Sequence, residues 1–259
     1  VMDNNIVIRT IVPILLLIGI GFLSRKLGIL RSGDERVLST YVYYFALPAL
    51  FLVDLAETDF TAQNLTFVFA GIMPILIVTA IYAFPYAIFK FSKNTLYLLI
   101  LSTVFGSLTF FGIPFIMFAL PEQGNLATLS AASISVISVS ISITVLELYK
   151  LEKSSKAEGL KRVANRLSRN PLIVSIVFGV LLSIIGLEIP APVSSFLHML
   201  GGTTAPVAIF MLGVFFYGRK YTNMAMAVTL SLLRIVFLPT IAVLTTLWFS
   251  VAGVERAVL

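Results

Sequence analysis

The residue types best suited to recognising a ligand lie in a glycine- and proline-containing run, residues 106–114, in the middle of a long apolar segment. Glycine weakens a helix interior by about 1 kcal/mol and proline by about 3 kcal/mol. Pro114 also removes a backbone donor and clashes with the preceding turn, so we expect an unwound stretch here. Transporters present such half-helix ends to a substrate. A simple kink without a substrate role is the alternative.

Three other features could serve the same kind of site. Pro48 and Pro206 are expected to break two further apolar segments, and Thr203 and Thr204 beside the second break offer hydroxyls to a ligand or cap a kink. Arg234 is the one strong charge inside an apolar segment. A cation at that depth usually faces the protein interior, a partner or a substrate path. Its role could therefore be anion attraction, pairing with backbone carbonyls, or snorkelling to the interface.

Other kinds of chemistry find no support in the sequence. The chain has no cysteine, which removes disulfides, thiolate metal sites and cysteine nucleophiles. We see no metal-ligand cluster, nucleophile triad or nucleotide-binding loop, so we predict no enzyme activity, no metal and no cofactor. No carboxylate falls near the middle of an apolar segment, which disfavours a cation/proton antiporter. His198 is predicted to be packed or solvated at the end of a segment.

The composition requires a membrane. Hydrophobic residues make up 59% of the 259 and charged residues 12%, whereas soluble domains carry about 25% charged residues. We predict an all-α polytopic membrane protein, because lipid forces each backbone group to bond within its own segment. The net charge of +6 lies in the connecting loops and does not indicate a nucleic-acid partner. The predicted spans are 6–23, 38–55, 65–89, 96–118, 126–146, 171–186, 193–217 and 225–251.

The loop charges predict the orientation. Most of the 18 basic residues fall in alternate loops, and the remaining loops carry acids such as Asp54, Glu57 and Asp59. Basic loops face the cytoplasm, so we expect the N-terminus outside a cell membrane and the loop 148–170 inside. That loop is either a solvated connector or a lipid-headgroup or regulatory segment.

An internal repeat is visible at an offset of 158 residues. Four pairs of identical glycine or proline residues coincide at this offset. The alternative is that two helical hairpins have similar lengths by chance. Because the repeat unit holds five spans, its second copy must cross the membrane in the opposite sense, as in many secondary transporters. We predict a first five-helix repeat at 1–147, a cytoplasmic loop at 148–170 and a second repeat at 171–259 that is truncated after its third helix. The expectation is that two further spans belong to the complete protein. The four pairs are Pro13 with Pro171, Gly21 with Gly179, Gly28 with Gly186, and Pro48 with Pro206.

Four motifs resemble the auxin efflux carrier family, which includes plant PIN-formed auxin exporters and prokaryotic organic-acid permeases. They are Gly112-Ile113-Pro114, the segment YYFALPAL at 43–50, Asn170-Pro171-Leu172, and Ala205-Pro206-Val207-Ala208 followed by Gly213. The resemblance covers essentially the whole chain, and the short cytoplasmic loop is closer to the prokaryotic members. It implies ten helices in two inverted repeats, with crossed, broken helices four and nine forming the site. It also implies transport of organic anions such as carboxylates.

One departure bears on the site. Plant members carry Pro-Asn where this chain has Gly106-Ser107, so the carboxylate-holding role of the asparagine could pass to Ser107. The oligomeric state stays open, although the resemblance favours a homodimer.

We therefore predict a secondary transporter that moves small organic anions through the lipid bilayer by alternating access, in the efflux direction. The alternatives are a cation- or bile-acid-type carrier on a related scaffold, or a transporter-shaped ligand sensor. The predicted substrate-binding residues are Gly106, Ser107, Leu108, Thr109, Gly112, Pro114, Pro48, Thr204, Pro206 and Arg234.

Overall fold

The computed structural model describes residues 4–89, 92–104, 112–150, 156–218, 224–251, 253 and 258. Within these ranges the regular elements are helices, which agrees with the predicted all-α class. In chain order the α-helices are α1 (Asn4–Lys26), α2 (Asp34–Tyr41), α3 (Leu47–Ala56), α4 (Ala62–Phe89), α5 (Lys93–Val104), α6 (Ile113–Ala119), α7 (Gly124–Lys150), α8 (Lys156–Ser168), α9 (Pro171–Ile185), α10 (Ala191–Gly202), α11 (Thr204–Phe216), α12 (Met224–Leu232) and α13 (Leu238–Trp248).

Several of these helices are long and apolar enough to cross a membrane, which confirms a multi-pass membrane protein. Among the described residues there are five such spans, or six if α8 and α9 count as one bent span. The predicted spans 6–23 and 171–186 fall on α1 and α9, and the predicted span 96–118 falls on α5 and α6. The five spans are Asp34–Ala56, Asn64–Tyr86, Gly124–Leu146, Ala191–Phe216 and Val228–Trp248.

The segment 148–170, predicted to be a loop, contains helix. Helix α7 continues to Lys150, and α8 occupies Lys156–Ser168. Leu160, Val163 and Leu167 recur at helical spacing among basic residues, which explains an amphipathic helix in a hydrophilic segment. Arg162 and Glu158 add an ion pair of 3.5 Å across one helical turn.

The motif Asn170-Pro171-Leu172 begins helix α9. The Asn170 side-chain oxygen accepts hydrogen bonds from the backbone N–H groups of Leu172, at 3.0 Å, and Ile173, at 3.5 Å. An N-cap asparagine satisfies donors that have no partner within the helix, and proline at the first helical position loses no bond. The motif therefore acts as a helix start.

The chain divides into two compact units that each draw on both halves of the sequence. The first unit comprises residues 1–59, 107–131 and 174–221, and the second comprises residues 60–106, 132–173 and 222–259. In the first unit α1 packs along α11, and α3 packs against α10. In the second unit α4 packs against α5 and α13, and α12 packs against α5.

Glycines bring helix backbones of the first unit unusually close together. A Cβ atom added to Gly21 of α1 would overlap the carbonyl oxygen of Phe210 on α11 and would lie 3.0 Å from its carbonyl carbon. In the same way, a Cβ on Gly179 of α9 would lie 2.8 Å from the carbonyl oxygen of Leu52 on α3. Small residues allow such close packing between membrane helices.

Two spans contain a single turn of π-helix immediately before a Leu-Pro pair. One turn, Val42–Ala46, joins α2 to α3, which has Pro48 in its first turn. The other, Leu233–Phe237, joins α12 to α13, which has Pro239 in its first turn. Proline cannot donate to the carbonyl four residues earlier, and a π-turn shifts the hydrogen-bond register at that point. At Pro48, where a break is predicted, the structure has a π-turn inside one span, Asp34–Ala56, with helical backbone angles on either side.

Candidate substrate site at the helix breaks

The centre of the predicted site lies outside the described residues. Gly106, Ser107, Leu108 and Thr109 fall in the gap between Val104, where α5 ends, and Gly112. Gly112 has right-handed helical backbone angles and precedes α6, which contains Pro114 in its first turn. The structure therefore describes the fourth span up to Val104 and again from Gly112, on either side of the predicted break.

Arg234 contacts α5, in the predicted fourth span. Its Nη1 donates a hydrogen bond of 3.4 Å to the carbonyl oxygen of Thr103. The contact matches the carbonyl pairing that the sequence allowed. Within the described residues it leaves most of the five guanidinium donors for another partner.

Aromatic residues pack around Thr103 and the π-turn that carries Arg234, in the second unit. The hydroxyl groups of Tyr82, on α4, and Thr103 lie 3.1 Å apart. The Tyr82 ring also packs against Phe237, in the π-turn that carries Arg234, with 6.2 Å between ring centroids. Tyr82 thus holds the π-turn and the end of α5 together, which positions the guanidinium.

The break in the predicted seventh span falls at Thr203, between α10 and α11. The Thr203 hydroxyl donates to the carbonyl of Leu200 at 2.7 Å and accepts from the Tyr41 hydroxyl at 2.8 Å. Thr203 therefore caps the kink, one of the two roles that the sequence left open. Pro206 occupies the first turn of α11, where its missing N–H costs little.

Thr204 differs from its neighbour. Thr204 is only 1% exposed. Within the described part of the chain its hydroxyl has no hydrogen-bond partner. A buried hydroxyl without a partner costs about 1–3 kcal/mol, so we expect the Thr204 hydroxyl to have a partner outside the described residues. Gly112, Pro114, Pro48, Thr204 and Pro206 belong to the first unit, and Arg234 belongs to the second.

The two threonines give a matched pair of substitutions. Thr203→Val removes the cap and the Tyr41 bond, and we expect it to lower the unfolding free energy by about 1–2 kcal/mol. Thr204→Val removes no hydrogen bond among the described residues and relieves the cost of a buried, unpartnered hydroxyl, so its thermal stability should equal or exceed that of the native protein while transport falls several-fold. Thermal unfolding in detergent and flux into vesicles measure the two effects. A Thr204→Val variant with native flux would exclude its hydroxyl from the site.

The structure also brings together residues that the sequence analysis kept apart. Asp54, assigned to a loop, lies inside α3 and is 6% exposed. Its Oδ2 accepts a hydrogen bond of 2.7 Å from the Thr128 hydroxyl. His198, predicted to be packed or solvated, lies between the carboxylates of Asp54 and Glu57. The spacing of Asp54 and Glu57 predicts that they share one face of a helix. Their partner on α10, His198, is more than 140 residues away in the chain.

Comparisons with known proteins agree with this architecture. A family model described as "Membrane transport protein" matches residues 6–258. The chain is 22% identical over 254 residues to the uncharacterized transporter MJ1031 of Methanocaldococcus jannaschii, covering 95% of the chain and 81% of the relative. It is 24% identical over 246 residues to the uncharacterized transporter YfdV of Escherichia coli K12, covering 90% of the chain and 76% of the relative.

Proposed function

Since this chain belongs to the membrane transport protein family, the auxin efflux carrier family that its motifs resemble, we propose that it is a secondary carrier of small organic anions. The substrate class is carboxylates, the movement is alternating access, and the direction is efflux across a cell membrane. The N-terminus lies outside and the segment 148–170 lies in the cytoplasm. A homodimer is part of the same proposal.

The observation that carries this proposal is the position of Arg234. Its guanidinium lies in an apolar span and donates a hydrogen bond to the carbonyl oxygen of Thr103, in the predicted fourth span. Guanidinium groups bind carboxylates through paired, charge-assisted hydrogen bonds. A carboxylate beside α5 in the second unit could therefore use guanidinium donors that the Thr103 carbonyl does not occupy. The Thr204 hydroxyl, which has no partner among the described residues, supports a polar ligand in the first unit.

Glycine contacts support the inverted repeat that the sequence predicts. The contact of Gly21 with Phe210 and the contact of Gly179 with Leu52 are related by the 158-residue offset, with the two partners exchanged between halves. A two-fold relation between the repeats would produce this exchange. Gly28 and Gly186, another matched pair, both have positive φ, 76° and 69°. These equivalences favour halves at 1–147 and 171–259, joined by 148–170.

Flux measurements on purified protein in liposomes test the function. We expect saturable movement of radiolabelled small mono- and dicarboxylates, reduced by an excess of unlabelled carboxylate. Labelled inorganic cations and bile acids serve as the competing substrate classes, and empty liposomes serve as the blank. Flux of a cation or a bile acid, with none for carboxylates, would contradict the anion assignment. Carboxylate binding without any flux would identify a sensor.

A further inference from the structure

A histidine held between two carboxylates joins α3 to α10 in the first unit. The Nε2 of His198, on α10, lies 3.0 Å from the Oε2 of Glu57, at the end of α3. Its Nδ1 lies 3.9 Å from the Oδ1 of Asp54, one helical turn earlier. The two ring nitrogens therefore face two different carboxylates.

The geometry of this group selects one protonation state of the ring. A neutral imidazole has one N–H donor and one lone pair, whereas the imidazolium has two donors. A neutral His198 would direct its lone pair at one of the two anions. The doubly protonated ring donates one N–H to Glu57 and places the other 3.9 Å from the Asp54 carboxylate, within ion-pair range but too long for a hydrogen bond. We propose that His198, Asp54 and Glu57 form a proton-binding site, and that the bound proton ties α3 to α10.

The surroundings of the site supply support and an access path. Asp54 is held by the Thr128 hydroxyl of α7, and Glu57 accepts a hydrogen bond of 2.8 Å from the Ser194 hydroxyl of α10. The Glu57 side chain is 45% exposed and borders a cavity of about 450 Å³ that Asp59 and Glu188 also line. Protons can therefore exchange with water through Glu57.

The charged and titratable groups around His198 come from a small set of elements. Helix α10 packs against α3, α11 and the π-turn Val42–Ala46. The first contributes Asp54 and, at its end, Glu57; α11 has no titratable residue; and the π-turn contributes Tyr43 and Tyr44. Asp59 and Glu188 add negative charge nearby. Within the described residues, carboxylates thus supply the charge around the ring.

The site predicts a direction for the effect of pH. The contacts of the His198 ring with Glu57 and Asp54 stabilise the fold while the ring carries its second proton. This contribution to stability is lost as the pH rises and that proton leaves. Histidine side chains ordinarily change charge between pH 5 and 8. If the chain is the carrier proposed above, the site makes the association of two spans proton-dependent. That consequence rests on the proposed function, whereas the proton site itself does not.

Thermal unfolding in detergent, without any transport assay, tests the site. We expect the native melting temperature to exceed that of His198→Gln at pH 5.5 by about 3 °C, and the difference to vanish at pH 8. Glu57→Gln should behave like His198→Gln, while Glu188→Gln should keep the native pH profile because it changes the same charge beside the cavity without contacting the ring. Equal pH profiles for native, His198→Gln and Glu57→Gln would overturn the proposal. If His198→Gln fails to fold, the comparison of Glu57→Gln with Glu188→Gln decides the question.

Discussion

Replacing Gly21 by alanine is expected to destabilise the protein strongly, whereas replacing Gly19, two residues earlier on the same helix, is not. The added methyl at Gly21 would overlap the backbone carbonyl of Phe210, which cannot rotate away as a side chain can. Inserting a methyl into a packed interface costs about 1–3 kcal/mol. At Gly19 nothing lies within 4 Å of the added atom, and alanine favours helix over glycine by about 1 kcal/mol.

Thermal unfolding of the two variants side by side measures this difference. Each kcal/mol corresponds to about 2–4 °C in melting temperature for a chain of this size, so the two variants should differ by several degrees. Gly213→Ala is a second test on the opposite helix, because its Cβ would lie 2.8 Å from the carbonyl carbon of Ile18. Equal stability of Gly21→Ala and Gly19→Ala would show that α1 and α11 do not pack backbone to backbone.

Replacing Arg234 by alanine is expected to reduce carboxylate flux by tenfold or more. Hydrogen bonds to charged groups contribute about 1.5–3 kcal/mol, and 1.4 kcal/mol corresponds to a factor of ten in affinity. Arg234→Lys should keep part of the activity, since lysine retains the charge but not the planar, bidentate fork. Binding and flux measured on the same preparations separate loss of affinity from loss of movement.

Two controls make the Arg234 result specific. Arg162→Gln removes a basic residue from the exposed pair with Glu158 on α8 and should leave flux unchanged. Tyr82→Phe keeps the ring contact with Phe237 but removes the hydroxyl near Thr103, so it should reduce flux less than Arg234→Ala. Unchanged anion affinity in Arg234→Ala would remove this residue from the site.

The sequence predicts the positions of the helices and of their breaks better than it predicts the backbone conformation at each break. The composition requires membrane helices, and Pro48 and Pro206 mark two interruptions. The π-turns before Pro48 and Pro239 could not be predicted, because they depend on how each span adjusts its hydrogen-bond register around the missing donor. The helix α8 was missed because its charges outweigh the helical spacing of its apolar residues.

The site depends on contacts between residues that are far apart in the chain, and the sequence does not predict these contacts. The depth of Arg234 follows from the sequence, but its contact with Thr103 depends on how α5 and the π-turn pack. The charge pattern groups Asp54 with the acidic loop residues Glu57 and Asp59. Only the packing of α10 on α3 shows that Asp54 is buried and faces His198. The offset that pairs Gly21 with Gly179 is visible in the sequence, whereas the helices they contact are not.

We propose, from the glycines and the proline in the sequence, that residues 106–114 form an unwound, substrate-accessible break in the fourth span. The chain has no cysteine, so single-cysteine variants at Ser107, Leu108 and Thr109 need no prior removal of native thiols. We expect a membrane-impermeant maleimide to label these positions in proteoliposomes and a saturating carboxylate to protect them. Absence of labelling at all three positions from both sides of the membrane, with a cysteine at exposed Glu158 reacting normally, would contradict the account.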